Sequence, residues 1–368
     1  MLPTGETAEI EGVEVSTEHW IGGERVGSPE SFDDVSPIDE QVIAQVARGG
    51  HAEVDRAVAA ARSAFDTWGR TSAADRAKVL HRVAELVEER VPELAPVETR
   101  DNGSLLRSHL NSVMPRVARN FRFFADQLTE LGDETFEMNE FVSRTEWDPS
   151  GVTVVITPWN APLMLATWRI APALAAGNSV VAKPPEWAPL SASILADLTR
   201  EAGLPDGAFN VVQGIGEEAG AALTRHPGVD RIAFTGSIET GKLVAQAAAA
   251  NLTPTSLELG GKSPFVAFAD ADLDAVVKQA VNQFDNAGQV CLAGTRLIVE
   301  RSMVDAFLER FLQAAAAIRL GDDDRFGRGR SAGSGVVTDS IVGNSASFGS
   351  HLVGWGPASD GISTVAGP

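Results

Sequence analysis

The sequence predicts an α/β fold built on a parallel sheet of the dinucleotide-binding type, covered by helices on both faces. Three observations predict it. Between Gly151 and Leu259, short β-rich runs alternate with helical stretches of about ten to fifteen residues, the length a crossover between parallel strands requires. There are five such runs, and their crossover linkage implies a parallel sheet covered on both faces. Unusual polar or glycine-rich groups follow the runs, at the end where ligands of such sheets bind.

The elements follow in order. His19-Trp-Ile-Gly-Gly-Glu24 and Ser36-Pro-Ile-Asp39 read as short strands and turns, because Gly-Gly and Ser-Pro punctuate apolar runs. Apolar residues recur at helical spacing from Ala52 to Trp68 and from Ser72 to Arg90, where Ser72 and Asp75 are placed like a capping box. A further helical stretch covers about Asn111–Leu131. Phe136, Met138, Phe141 and Val142 alternate with polar residues between Thr135 and Trp147, which predicts a strand pair projecting from the body. The alternating region then runs strand Val152–Thr157, helix Leu163–Ala176, strand Ser179–Ala182, helix Leu190–Ala202, strand Phe209–Val212, helix Glu217–Arg225, strand Arg231–Phe234, helix Glu239–Ala250 and strand Thr255–Leu259. Helix Leu273–Asp285, strand Arg296–Glu300 and helix Val304–Ile318 follow. From residue 321 the chain is dominated by Gly, Ser, Asp and Val, with one basic patch at Arg325–Arg330 and little sustained periodicity. That texture fits a flexible tail or a divergent, even frame-shifted, C-terminus.

With 368 residues, 44% of them hydrophobic, the chain can bury a sizeable core in two or three domains. A formal charge of −20 opposes a phosphate-backbone partner, so neither nucleic acid nor an anionic membrane is expected. Residues 1–20 lack a signal-peptide core and no apolar run reaches membrane-spanning length, so a soluble, cytoplasmic protein is expected. Cys291 is the only cysteine, which rules out an intramolecular disulfide and a Cys-based zinc site. No metal is expected.

Five segments carry the chemistry: Thr157-Pro-Trp-Asn160, Lys183-Pro-Pro-Glu186, Phe234-Thr-Gly-Ser237, Glu258-Leu-Gly-Gly-Lys-Ser263 and Gly288-Gln-Val-Cys291-Leu-Ala-Gly294. Taken singly each has a bland explanation: a buried cysteine, a solvated strand-end glutamate, a surface Lys–Glu ion pair, helix-face leucine and tryptophan. Together, in this order and spacing over roughly residues 15–320, they resemble the aldehyde dehydrogenase superfamily.

The resemblance implies a Rossmann-like coenzyme-binding sheet with an incomplete α/β catalytic domain. It implies an NAD-binding domain at 1–130 and 148–259, an oligomerisation strand pair at 131–147, a partial catalytic domain at 260–320 and a divergent or disordered tail at 321–368. Cys291 would be the nucleophile, Asn160 with the Cys291 backbone N–H the oxyanion donors, and Glu258 the base that hydrolyses the acyl-enzyme. Gly260 and Gly261 beside it would allow close backbone approach. Glu258 also favours release of a free acid over transfer to coenzyme A. Lys183 and Glu186 would hold the adenosine ribose, and a carboxylate there prefers NAD over NADP. Thr235, Gly236 and Ser237 would take the pyrophosphate at a helix N-terminus. Gly216 and Gly220 would pack tightly on the cofactor, with Ile156, Thr157, Pro158, Trp159 and Leu259 on the nicotinamide side. Ala161, Leu165, Trp168, Asp285, Val290 and Leu292 would line a tunnel for a small aldehyde, where Asp285 disfavours anionic substrates. The family's assembly would make a homodimer or homotetramer. Family members continue well past this chain's end with a Glu-Ile-Phe-Gly-Pro type segment; Val353-Gly-Trp-Gly-Pro357 lacks its acidic residue. Two alternatives stay open: a truncated homologue that only binds dinucleotide or a full-length partner, and a cofactor-free thioesterase using Cys291 and Glu258.

Overall fold

The computed structural model describes residues 7–128, 130, 132–318, 352–355 and 362–365. The chain divides into two compact units, Met1–Leu259 and Gly260–Pro368.

The first unit is organised by a seven-stranded sheet. Its order is Thr255–Leu259, Arg231–Gly236, Val152–Ile156, Ser179–Lys183, Phe209–Val211, His19–Ile21, Glu24–Val26. The first five strands are parallel, as the sequence predicts. The two N-terminal strands extend the sheet antiparallel, a pairing that local sequence does not reveal. Their hairpin turns through Gly22 and Gly23, both at positive φ, a combination that suits glycine and matches the twist of the strands.

Strand residues alternate between two cores. Val155, Val180, Ala182, Phe209 and Val211 face one side, against helices Ala73–Glu89, Met114–Gln127, Pro162–Ala175 and Leu190–Glu201. Val152, Val154, Ile156, Val181, Ile232 and Phe234 face the other, against helices His51–Trp68 and Ile238–Ala249. Because both faces are covered, Val152–Ile156 and Ser179–Lys183 are buried at every position, which explains their largely apolar composition. Ser72 caps its helix as expected, accepting the Asp75 N–H at 3.1 Å. A helix at Val91–Asn102, which the sequence reading leaves unassigned, packs in the same layer. The stretch expected as one helix over 111–131 is helical from Leu106 to Gln127, with a π-helical turn at His109–Val113.

The strand pair expected between Thr135 and Trp147 is an antiparallel hairpin, Glu134–Met138 with Phe141–Thr145. Phe136, Phe141 and Val142 on it are exposed.

In the second unit Pro264–Ala267 pairs parallel with Arg296–Glu300. Helices Leu273–Val281 and Val304–Ala316 contribute Val276, Val277, Ala280, Phe307 and Phe311 to its core. The helix predicted to reach Asp285 ends at Val281, and an irregular turn takes over from Asn282 to Gly288. Two further strands, Leu352–Trp355 and Ile362–Val365, continue this sheet. They fall in the 321–368 stretch, where the sequence shows little strand periodicity. The basic patch Arg325–Arg330 and residues 356 and 357 lie outside the described residues.

Candidate active site

Parallel strands bring their carboxyl ends to one edge, and register decides which residues become neighbours there. Ile156 pairs with Lys183 on one side and Phe234 on the other, Thr235 pairs with Glu258, and Gly236 pairs with Leu259. Four of the five chemistry-bearing segments therefore start from adjacent strands of one sheet.

Lys183 closes its strand with its side chain only 2% exposed, and its ammonium donates to Glu186 Oε2 at 2.8 Å. Pro184 and Pro185 fix the turn between them. Burial pulls the Lys183 ammonium below its usual range, while Glu186 opposes the shift. Burial by itself raises the Glu186 carboxyl, but the charge and hydrogen bond of Lys183, with backbone N–H donation from Glu186 and Gly216, outweigh it and hold the carboxyl low. The two glycines abut this pair: a Cβ at Gly216 would lie 3.7 Å from Glu186 Oε1, and one at Gly220 would lie 3.9 Å from Lys183 Cδ. An ionised carboxylate paired with an ammonium presents the acceptor and donor that a vicinal diol, such as a ribose, requires.

Thr235 and Gly236 end the neighbouring strand, and Ser237 caps helix Ile238–Ala249 by accepting the Thr240 N–H at 3.1 Å. Its hydroxyl is thus engaged in the helix's own cap, and the N-terminus offers backbone N–H groups and a positive dipole end to an anion. The space beside Gly260 and Gly261 is open, and close packing against the last strand is at Gly241. Among the described residues a Cβ at Gly260 meets nothing within 4 Å and one at Gly261 meets only Ser263 Oγ, whereas one at Gly241 would stand 2.6 Å from Leu259 Cδ2. The tight contact lets this helix lie against the last strand.

Thr157 extends the sheet edge, its N–H donating to Lys183 O at 3.3 Å. Pro158, Trp159 and Asn160 follow half-buried, and Ala161 occupies the N-cap of helix Pro162–Ala175. Leu165 on that helix is buried; Trp168 is partly exposed, with the Arg116 guanidinium 5.6 Å from its ring centroid. Glu258 has an exposed carboxylate paired with Arg169 at 3.0 Å. Arg169 is missing from the residues that sequence reasoning singles out. It lies one helical turn beyond Leu165 and nine residues past Asn160, a spacing that marks the same helix face only once the helix's direction is known.

In the second unit Cys291 lies in the loop between the irregular turn and strand Arg296–Glu300, and its side chain is exposed. Asn286, Ala287 and Gly288 are consecutively left-handed, with φ of 50°, 56° and 74°. Two of the three are not glycine, so the backbone just before the cysteine is held in a costly conformation. Gln283 ties this turn to the far side of the loop by accepting the Gly294 N–H at 2.6 Å. Asp285 sits within the turn, and Val290 and Leu292 flank the cysteine with exposed side chains.

An aldehyde dehydrogenase family model matches residues 24–333. 2-Hydroxymuconic semialdehyde dehydrogenase from Pseudomonas sp. (strain CF600) is 44% identical over 318 residues, covering 83% of this chain and 65% of the relative. The NADP/NAD-dependent aldehyde dehydrogenase PuuC from Escherichia coli K12 is 44% identical, covering 80% of this chain and 61% of the relative. Among solved structures, the indole-3-acetaldehyde dehydrogenase AldA of P. syringae, in complex with NAD+ and IAA, superposes with a TM-score of 0.83 at 39% identity, over 85% of this chain and 65% of that one. The chain thus spans under two thirds of the length of each relative. Its sheet, its ordered strand-end motifs and these likenesses agree: the chain belongs to the aldehyde dehydrogenase family.

Proposed function

We propose that the chain oxidises an aldehyde to a carboxylic acid with NAD, using Cys291 as nucleophile, Asn160 as oxyanion donor and Glu258 as base. The observation that carries this reading is the edge of the sheet, where Asn160, the Lys183–Glu186 pair, the capped helix at Ser237 and Glu258 issue from four adjacent strands.

The residues fit a dinucleotide. Glu186 and Lys183 would hold a ribose diol, and the helix N-terminus at Ser237 would hold the diphosphate. A carboxylate at Glu186 would repel a 2′-phosphate, which supports NAD over NADP. When bound, NAD supplies the hydride acceptor. The chain does the rest. The Cys291 thiolate adds to the aldehyde carbon, and Asn160 and the Cys291 backbone N–H donate to the oxyanion of the thiohemiacetal. Loss of hydride leaves a thioester on Cys291. Glu258 then takes a proton from water as the water attacks, and the acid departs as Cys291 regains its thiolate. Arg169 holds the Glu258 carboxylate in place. Ala161, Leu165, Trp168, Asp285, Val290 and Leu292 would shape the approach to the thiol, and Asp285 argues for a neutral, hydroxylated or cationic aldehyde. Residues 1–130 and 148–259 would be the NAD-binding domain and 260–320 part of the catalytic domain.

Exposed Phe136, Phe141 and Val142 on a two-stranded hairpin, with exposed Trp147 just beyond it, support a homodimer or homotetramer joined there. Among the described residues no helix is long and apolar enough to cross a membrane.

The test is NADH formation by residues 1–368 on acidic and neutral aldehydes, beside Cys291→Ala. The wild type should turn over and the variant should not, while both bind NAD. Turnover that survives the substitution would refute the nucleophile. Binding without turnover in the wild type would favour the second reading, a homologue that only binds dinucleotide or a longer partner. That reading draws on the chain spanning 61–65% of its relatives.

A further inference from the structure

Every helix begins with N–H groups that lack a partner within the helix, and the usual remedy is an acceptor on the N-cap side chain. Two helices that start directly after the proposed substrate and cofactor loops lack this remedy. Helix Pro162–Ala175, which follows Asn160, has Ala161 at its N-cap, and helix Leu190–Glu201, which follows Glu186, has Pro189; neither supplies a side-chain acceptor. Both are capped from elsewhere. Glu98 Oε2 accepts the Leu163 N–H at 3.3 Å and Asp101 Oδ2 accepts the Leu190 N–H at 2.9 Å.

Glu98 and Asp101 are fully buried and belong to one helix, Val91–Asn102, three residues apart and so on one face. Leaving two carboxyls inside a protein is expensive unless they are put to use. Burial drives Glu98 up to about 7, and burial together with the nearby Asp34 carboxyl raises Asp101 well above its usual range. The positive ends of two helices are a fitting place for such groups.

We propose that Glu98 and Asp101 are positioning residues that hang the two loops from a common strut: Glu98 fixes Asn160 through Leu163, and Asp101 fixes Glu186 through Leu190. The spacing between the oxyanion donor and the ribose-binding pair is then set by one buried helix. The catalytic side of this inference rests on the aldehyde-oxidising function proposed above.

The experiment compares Glu98→Ala, Glu98→Gln, Asp101→Ala and Asp101→Asn in the full chain, by NADH kinetics and by hydrogen exchange over 157–170 and 184–195. Gln and Asn keep a carbonyl acceptor; Ala does not. Glu98→Ala should lower kcat by about tenfold and leave KM for NAD unchanged, the size that losing one buried hydrogen bond to a carboxyl implies. Asp101→Ala should raise KM for NAD by about tenfold at unchanged kcat, for the same reason. Exchange should quicken after Asn160 in the first variant and after Pro189 in the second, and Gln and Asn should restore both readouts. Glu98 also interacts with Ser191 on the second helix, so the decisive result is from Asp101: exchange that rises over both segments in Asp101→Ala, amide variants that behave like alanine, or a reversed kcat and KM split would overturn the proposal. A wild-type chain that forms no NADH would refute the activity and leave exchange to decide the anchoring alone.

Discussion

Replacing Glu186 by alanine should destabilise the first unit far more than its partly exposed position suggests. The carboxylate is 31% exposed, but its partner, Lys183, is 2% exposed and cannot reach water when the carboxylate is removed. The Gly216 N–H loses an acceptor as well. Breaking a wholly enclosed pair costs about 3–5 kcal/mol, and the exposure of Glu186 reduces this to about 2 kcal/mol. Spread over the unfolding entropy of the Met1–Leu259 unit, that corresponds to a fall in Tm of about 4 °C. Differential scanning calorimetry at neutral pH would measure it, beside the double variant Lys183→Met, Glu186→Ala. The double variant removes the stranded ammonium and should recover most of the loss. A single variant that melts with the wild type, or a double variant no more stable than the single, would show that the ammonium finds water or another partner and that the pair is not the constraint described above.

Arg169→Ala should shift Tm little, because the Arg169–Glu258 pair leaves Glu258 65% exposed. It should instead slow steady-state turnover relative to the first-turnover burst by roughly two- to fivefold, the kinetic equivalent of ~0.5–1 kcal/mol; an unchanged ratio would remove Arg169 from the base's support. Glu98 makes a pH prediction. Its carboxyl is raised from 4.5 to about 7 in the folded chain, so the native state holds the extra proton and loses stability as pH rises from 4.5 to 7. His19 and His109, lowered by burial from 6.5 to about 4, act the other way and add stability as pH rises from 4 to 6.5. Because those histidines are common to both chains, the Tm of Glu98→Gln should gain on the wild type as pH climbs from 4.5 to 7; parallel curves would contradict the assigned shift.

The parallel sheet was legible because each strand is a short run of β-branched or small apolar residues with a helical period between runs. Strand-end residues stood out for a related reason: Lys183, Glu258 and Ser237 are polar groups where an apolar run stops. Helix Val91–Asn102 was not legible, since Pro92 and Pro96 in its first half are residues that ordinarily break a helical pattern. Pro92 is tolerated in the first turn, where its N–H would be unpaired anyway, and packing carries the helix past Pro96. With that helix hidden, nothing marked Glu98 and Asp101 as buried. Their partners, Leu163 and Leu190, are 65 and 89 residues away, and no local pattern encodes such a contact. Arg169 was lost in the same way, because its meeting with Glu258 is set by how the helix crosses the sheet. The Cys291 turn failed differently. Its helical composition runs to Asp285, but three left-handed residues intervene, two of a kind that seldom adopts that conformation.

The hairpin Glu134–Thr145 carries a consequence of another sort. Its two strands pair with each other and with no third strand among the described residues, and every residue of Phe141–Thr145 is exposed. Such a ribbon barely holds its shape in water by itself. In the assembly proposed above the ribbon would be covered, whereas in a lone copy it is bare, with Arg144 exposed to a trypsin-like protease. The rate of cutting at Arg144 would then report whether copies associate there.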